Sequence, residues 1–211
     1  MKEYHKIQSL YKRDEKGRLL IGDYSLPEFA YLKNNEWVFT EKVDGTNLRI
    51  VWHEGTITFG GKTDNAHMST QLGNALNAQF LPLAEQFAIV FGEAPVCLYG
   101  EGYGAKIQQG GGNYRSDPGF VLFDVLIDGW WLQRPHMLEI AQRLSLDVVP
   151  LIGVGDLDDM ESQVKEGFSS RWGDFPAEGI VARPTTELRT RGGDRLIVKL
   201  KHRDFERAVH P

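Results

Sequence analysis

Short apolar runs rich in β-branched and aromatic residues, rather than long helical stretches, dominate this sequence and limit the folds open to it. Trp37-Val38-Phe39-Thr40 reads as a strand leading into Glu41-Lys42, and residues 48–52 and 56–59 flank His53-Glu54-Gly55 as a hairpin. Val96-Cys97-Leu98-Tyr99 and Phe120-Val121-Leu122-Phe123 follow, the second scarcely alternating, as expected of a strand covered on both faces. Residues 179–182 and 195–200 supply two more. Helical spacing shows in three places: 70–91, with Pro82 as a break; 135–144, opened by Pro135; and 156–168, with Asp156 as N-cap. Strands in runs, interrupted by separate helices, predict an α+β fold with antiparallel sheets rather than βαβ winding. No repeat, low-complexity tract or linker divides the 211 residues, so 1–211 is expected to form one domain.

Composition removes several function classes. Cys97 is the single cysteine, which excludes an internal disulfide and a cysteine-rich metal site and suits a reducing, cytoplasmic setting. The N-terminus is too polar for a signal peptide, and no apolar run approaches the roughly 20 residues of a membrane span, so no membrane partner is expected. The net charge of −5 argues against a protein that coats polyanions. Its distribution is uneven, however: residues 180–211 hold eight basic against four acidic side chains, +4, leaving −9 elsewhere. A basic end on an acidic body predicts a local site for phosphates.

Four familiar motifs fail on inspection. Gly60-Gly61-Lys62-Thr63 looks like the end of a P-loop, but Thr56 stands where that loop needs glycine. Gly100-Glu101-Gly102-Tyr103-Gly104-Ala105 fits a loose dinucleotide pattern, yet Glu101 would face pyrophosphate and the glycines that follow start a helix poorly. The six histidines lack zinc-site spacing, and no G-x-S-x-G elbow anchors a serine nucleophile.

What remains is a series of polar clusters, each at or near the end of an apolar strand: Glu41 to Asn47, Tyr99-Gly100-Glu101-Gly102, Phe123-Asp124, Glu178-Gly179 and Lys199-Leu200-Lys201. Lys42, just before a tight Asp44-Gly45 turn, is held on rigid backbone, as a nucleophile requires. Lys199 and Lys201 are two apart, so in a strand both point to one face. Ammoniums and carboxylates gathered in one cavity are costly unless a phosphate and a metal ion complete the charge balance.

Those clusters carry a resemblance. The chain resembles the covalent nucleotidyltransferases, the superfamily of polynucleotide ligases and mRNA capping enzymes, and most closely the nick-sealing RNA ligases. Lys42-Val43-Asp44-Gly45-Thr46-Asn47 matches the family's K-x-[DH]-G-x-N first motif, and Asn47, where DNA ligases and capping enzymes usually have Arg, leans toward RNA ligases. Leu98 to Glu101 is similar to motif III, Val121 to Val125 to motif IIIa, Glu178 to Val181 to motif IV and Ile197 to Lys201 to motif V. Lys62 falls where such ligases often carry a motif Ia Arg, a departure.

The resemblance implies an ATP-grasp-like nucleotidyltransferase domain with antiparallel sheets flanked by helices. It implies ATP as the nucleotide, AMP held covalently on Lys42, and Mg2+ or Mn2+ as cofactor. AMP would pass to an RNA 5′-phosphate, and a 3′-hydroxyl would displace it to join nicked or hybridised ends, RNA in preference to DNA. An ordinary lysine, with a pKa near 10.4, is neutral only about one part in 10³ at pH 7; Lys199, Lys201 and a metal ion would supply the field that favours the free amine. By the same resemblance Glu101 holds the ribose hydroxyls, Phe123 stacks on adenine with Phe120 as the rival, and Glu178 takes the metal with Asn47 as a further ligand. Glu41 accepts from the adenine amino group or orients its neighbours. Arg49 shares a strand face with Asn47, which suits either substrate phosphate or a surface ion pair.

Ten residues follow Lys201, too few for an OB-fold or a helical C-terminal domain. The expectation is a bare, monomeric catalytic domain, with a partner protein available to supply the missing part. The basic stretch 183–207, together with Tyr103, Lys106 and Arg115 in a glycine-rich loop, is then expected to dock the nucleic acid. Competing readings are a DNA ligase, a GTP-dependent capping guanylyltransferase, or a non-catalytic nucleotide- or RNA-binding module.

Overall fold

A computed structural model describes residues 3–209 of the chain. Twelve strands and six α-helices are described, in the order β1 (Gln8–Ser9), β2 (Tyr11–Arg13), β3 (Leu19–Tyr24), α1 (Pro27–Tyr31), β4 (Trp37–Glu41), β5 (Thr46–His53), β6 (Thr56–Gly61), α2 (Thr70–Phe80), α3 (Ala84–Phe91), β7 (Val96–Tyr103), β8 (Gly119–Ile127), β9 (Trp130–Trp131), α4 (Arg134–Arg143), β10 (Leu151–Gly155), α5 (Leu157–Glu166), β11 (Gly179–Pro184), β12 (Val198–Lys201) and α6 (His202–Phe205). They divide into two compact units. Asp44–Val149, with Tyr4, make one; His5–Val43 and the chain from Pro150 onward make the other. Among the described residues no helix is long and apolar enough to cross a membrane.

The unit containing Asp44–Val149 is built on an antiparallel sheet ordered β6-β5-β7-β8-β9. Alternation sends Leu48, Ile50 and Trp52 of β5, Val96 and Leu98 of β7, and Phe120 and Leu122 of β8 into one core against α2, α3 and α4. The expected 70–91 helix breaks where Pro82 removes a donor: α2 stops at Phe80, one 3-10 turn follows, and α3 begins at Ala84. The β5–β6 turn is tighter than expected, with Glu54 and Gly55 both at positive φ (49° and 72°), the two-residue geometry that follows sheet twist.

Strand β7 runs to Tyr103, past the expected end at Tyr99, so Glu101 lies inside a strand and not at its end. The glycines around it make this possible. A Cβ on Gly100 would lie 2.3 Å from the Phe120 ring and 2.4 Å from Val121 O, which leaves that position open only to glycine, and at Gly102 the Leu48 side chain likewise presses against bare backbone. Opposite, β8 carries a bulge: Tyr99 pairs with Asp124 and Gly100 with Leu122, leaving Phe123 as the extra residue.

The second unit has a five-stranded sheet ordered β1-β12-β11-β4-β10 and a separate β2–β3 hairpin. Its core packs Trp37, Phe39, Ile180, Ala182, Val198 and Leu200 from one sheet face against Leu157, Met160 and Val164 of α5. Asp156 caps α5 as expected, in a reciprocal box: Asp159 N–H donates to Asp156 Oδ1 at 2.9 Å, and Asp156 N–H donates to Asp159 Oδ2 at 3.1 Å. Two expectations need correcting. β12 starts at Val198 rather than at 195, and β1 pairs with it in parallel, the exception in otherwise antiparallel sheets.

Candidate active site

The candidate residues divide between the units: Glu41, Lys42, Glu178, Lys199 and Lys201 in one, Asn47, Lys62, Glu101 and Phe123 in the other. The first motif therefore straddles the passage of the chain between units at Val43.

In the first group, strand alternation sorts the sheet. Trp37, Phe39, Ile180, Ala182, Val198 and Leu200 face the core, while Val38, Thr40, Val181, Lys199 and Lys201 line the other, half-buried face. Lys42 follows β4 directly, and its backbone N–H donates to Gly179 O at 2.9 Å. The His202 N–H donates to Glu178 O at 3.0 Å. These two bonds pin the start of β11 between its neighbours and bring three expected residues together. Lys42 Nζ donates to Glu178 Oε2 at 2.6 Å, and Lys201 Nζ lies 2.6 Å from Oε1 of the same carboxylate. The Lys201 contact has ion-pair distance without hydrogen-bond alignment, so the buried Oε1 has no directed donor. Lys199, two residues back, shares the face. Lys42 and Lys201 share the one Glu178 carboxylate in a half-buried place, and a further anion would balance the second ammonium.

Glu41 points the other way. It is 1% exposed, its Oε1 accepts from Ser170 Oγ at 2.6 Å, and its Oε2 accepts from the Arg171 N–H at 2.8 Å. Burial pushes its carboxyl above the ordinary glutamate value, against the opposing pull of those two hydrogen bonds.

In the other unit, Asn47 and Glu101 are direct cross-strand partners on β5 and β7, on the sheet face away from the helices. Asn47 Oδ1 is buried without a hydrogen-bond partner. The Asp44-Gly45 turn lies hard against this pair, since a Cβ on Gly45 would lie 2.3 Å from Gly102 O and 2.7 Å from Glu101 Cγ. Phe123, the bulge residue, is half-buried, and Tyr4 joins it to Tyr99 on the same face. Phe120 is 1% exposed and packs against Phe80 in the core, so it is withdrawn from any stacking role.

Other expected side chains fall elsewhere. Lys62 is exposed just beyond β6. Arg49 is buried rather than at the surface: its Nε donates to Gly61 O at 2.8 Å and its guanidinium pairs with Asp64 at 2.7 Å, closing the turn after β6. Tyr103 is buried and Arg115 pairs with Asp117 at 2.8 Å, which leaves Lys106 as the exposed cation of that loop.

Each unit holds one oxygen of the type Mg2+ or Mn2+ prefers, buried and without a hydrogen-bond donor: Glu178 Oε1 in one and Asn47 Oδ1 in the other. Among the described residues no group of three or more His, Cys, Asp or Glu side chains gathers as a ready metal cage. Mg2+ keeps several waters and shares substrate phosphates, so it does not need one. Two residues escaped the sequence reading. Ser170 and Tyr4 lie in polar stretches without motif or periodicity, and only the fold brings them to Glu41 and Asp124.

The family described as RNA ligase matches residues 35–201. Solved structures of a Naegleria gruberi RNA ligase are similar in fold. An apo variant has a TM-score of 0.66 at 16% identity, covering 97% of this chain and 58% of that one. A variant with ATP and Mn gives 0.68 at 14%, with 95% and 61% covered. The ligase with PPi gives 0.65 at 16%, with 96% and 62% covered. The chain thus spans about three fifths of the length of these ligases. No curated protein matches it.

Proposed function

Because this chain belongs to the RNA ligase family, we propose that it is an ATP-dependent RNA ligase working through a lysyl-AMP intermediate. The observation that carries the reading is the Lys42–Glu178–Lys201 bridge with Lys199 beside it. A binding module has no use for an amine held on fixed backbone against a carboxylate that it shares with a second lysine.

In the first step the Lys42 Nζ lone pair attacks the α-phosphorus of ATP, forming a P–N bond as the bond to pyrophosphate breaks. The ion pair with Glu178 must first give way, because an ammonium has no lone pair to offer. Lys199 and Lys201 then face the anionic phosphoryl group and offset its charge in the transition state. By the resemblance, Glu178 would hold a divalent cation with Asn47 as a further ligand, and that ion would supply Lewis-acid charge that disfavours the ammonium and balances the triphosphate. Glu101, held in register with Asn47, takes the ribose hydroxyls, and Phe123 offers its ring to adenine. Of the two roles the resemblance allows Glu41, orienting its neighbours suits it, since its oxygens brace residues 170 and 171. An RNA 5′-phosphate oxygen next attacks the AMP phosphorus and frees the Lys42 amine. A 3′-hydroxyl finally attacks the activated 5′-phosphorus and expels AMP.

Residues 1–211 act in this reading as one nucleotidyltransferase domain, since the family match runs through both units. The test is intact mass after exposure to ATP with Mg2+ or Mn2+. The expected result is one added AMP, released by acid, absent with GTP and absent in Lys42→Ala. An adduct that survives Lys42→Ala overturns the assignment. Joining of nicked RNA and DNA duplexes, compared side by side, then reads the substrate.

A further inference from the structure

We infer that Tyr4 is a positioning residue for the base-binding ring Phe123, an inference that rests on the adenine role proposed above. Tyr4 is 5% exposed, and its hydroxyl donates to Asp124 Oδ2 at 2.7 Å. Its ring meets Phe123 at 5.1 Å and 70°, Tyr99 at 5.0 Å and 52°, and Trp131 at 5.6 Å and 89°. Tyr99, Asp124 and Trp131 belong to β7, β8 and β9, so Tyr4 ties three neighbouring strands together around the bulge.

As the extra residue of β8, Phe123 stands outside the ladder register, so side-chain packing sets the direction of its ring. An edge contact from a ring that is itself held on two other sides limits how far Phe123 can turn, which is what a stacking platform requires. The tether to Asp124 is equally built. That carboxylate is 0% exposed, and burying it beside a tyrosine hydroxyl is tolerable because the two groups satisfy each other. Chain course adds to the case: Tyr4 joins this unit, while the chain from His5 belongs to the other. The segment thus delivers one side chain to the same sheet face as the proposed nucleotide-binding residues.

Calorimetry with two partial ligands separates positioning from general structural support: adenosine, which has a base and no phosphates, and tripolyphosphate, which has phosphates and no base. Tyr4→Leu is expected to weaken adenosine about tenfold, the scale of one lost aromatic contact, and to leave tripolyphosphate unchanged. In self-adenylylation the KM for ATP rises by the same factor while kcat stays within about twofold. Tyr4→Phe keeps the rings and loses the tether, with an expected weakening of about threefold for adenosine alone. Equal weakening of both ligands, or of neither, overturns the inference, and Tyr4→Phe alone decides it should the leucine variant fail to fold. Phe123→Ala tests the parent reading: if adenosine binding survives it, the adenine platform is wrong whatever Tyr4 does. A protein that binds adenosine without becoming adenylylated would end the ligase reading while the Tyr4 test still runs.

Discussion

Glu178 is the residue on which the charge balance of the lysine cluster turns. Glu178→Gln keeps the shape, removes the charge and leaves Lys42 and Lys201 without their shared anion. We expect self-adenylylation to fall by about 10²–10³, the usual cost of losing one preorganised electrostatic group, with the protein still folded by circular dichroism. Glu41 behaves differently because it lies on the core face. Its folded carboxyl titrates above the ordinary value of 4.5, so between those two values the native state binds more protons than the unfolded chain. Its contribution to stability is therefore greatest below about pH 4.5 and is lost as the pH rises through the window above it. Thermal melts across that range should show wild type losing stability relative to Glu41→Gln as pH rises, and a flat difference would refute the assignment. That Lys199 and Lys201 share a face was legible in the sequence because strand alternation fixes it, whereas Lys42, Glu178, Asn47 and Glu101 stood out only through their motifs. The Glu41–Ser170 contact was not legible, since its partners lie 129 positions apart and no local pattern links them.

Elements place those residues, and glycine decides how closely. Gly45→Ala would drive a Cβ into Gly102 O and Glu101 Cγ, and the backbone oxygen cannot swing aside as a side-chain tip can. The expected cost is about 1–3 kcal/mol, a loss of several degrees in Tm for a chain of this size. Displacing Asn47 and Glu101 by about an ångström should also lower adenylylation about 10²-fold. Asp156→Ala is the matched control, because it removes the α5 cap and touches none of the candidate site residues. It should cost about 1 kcal/mol, or 2–4 °C in a melt, and leave adenylylation unchanged. Helix breaks and caps were readable from Pro82 and Asp156 because they act within one turn. The length of β7 and the bulge in β8 were not. Gly100 and Gly102 look like turn residues until Phe120 and Leu48 are seen lying over them, and an extra strand residue shows only against its partner strand. The β2–β3 hairpin and β10 gave no signal either, being short and half-exposed.

Charge at the scale of the whole molecule separates the two halves of the proposed reaction. The chain carries −5, so a nucleic acid meets net repulsion and depends on local cations to hold it. Several basic residues of the expected docking stretch are already engaged: Arg195 pairs with Glu187 and Arg115 with Asp117. Exposed Arg189, Arg191, Arg203, Arg207 and Lys106 are placed to meet phosphates at the surface. Such contacts release counterions from the polyanion and weaken steeply with salt. ATP instead meets a half-buried lysine cluster, where screening is much smaller. Raising salt from about 50 to 200 mM should therefore cut joining of a nicked RNA duplex at least about tenfold while self-adenylylation changes less than about threefold. Rates of the two steps measured on one preparation decide it. If both decline together, nucleotide and nucleic acid are held by the same exposed charges and the lysine cluster is not the shielded site proposed for it.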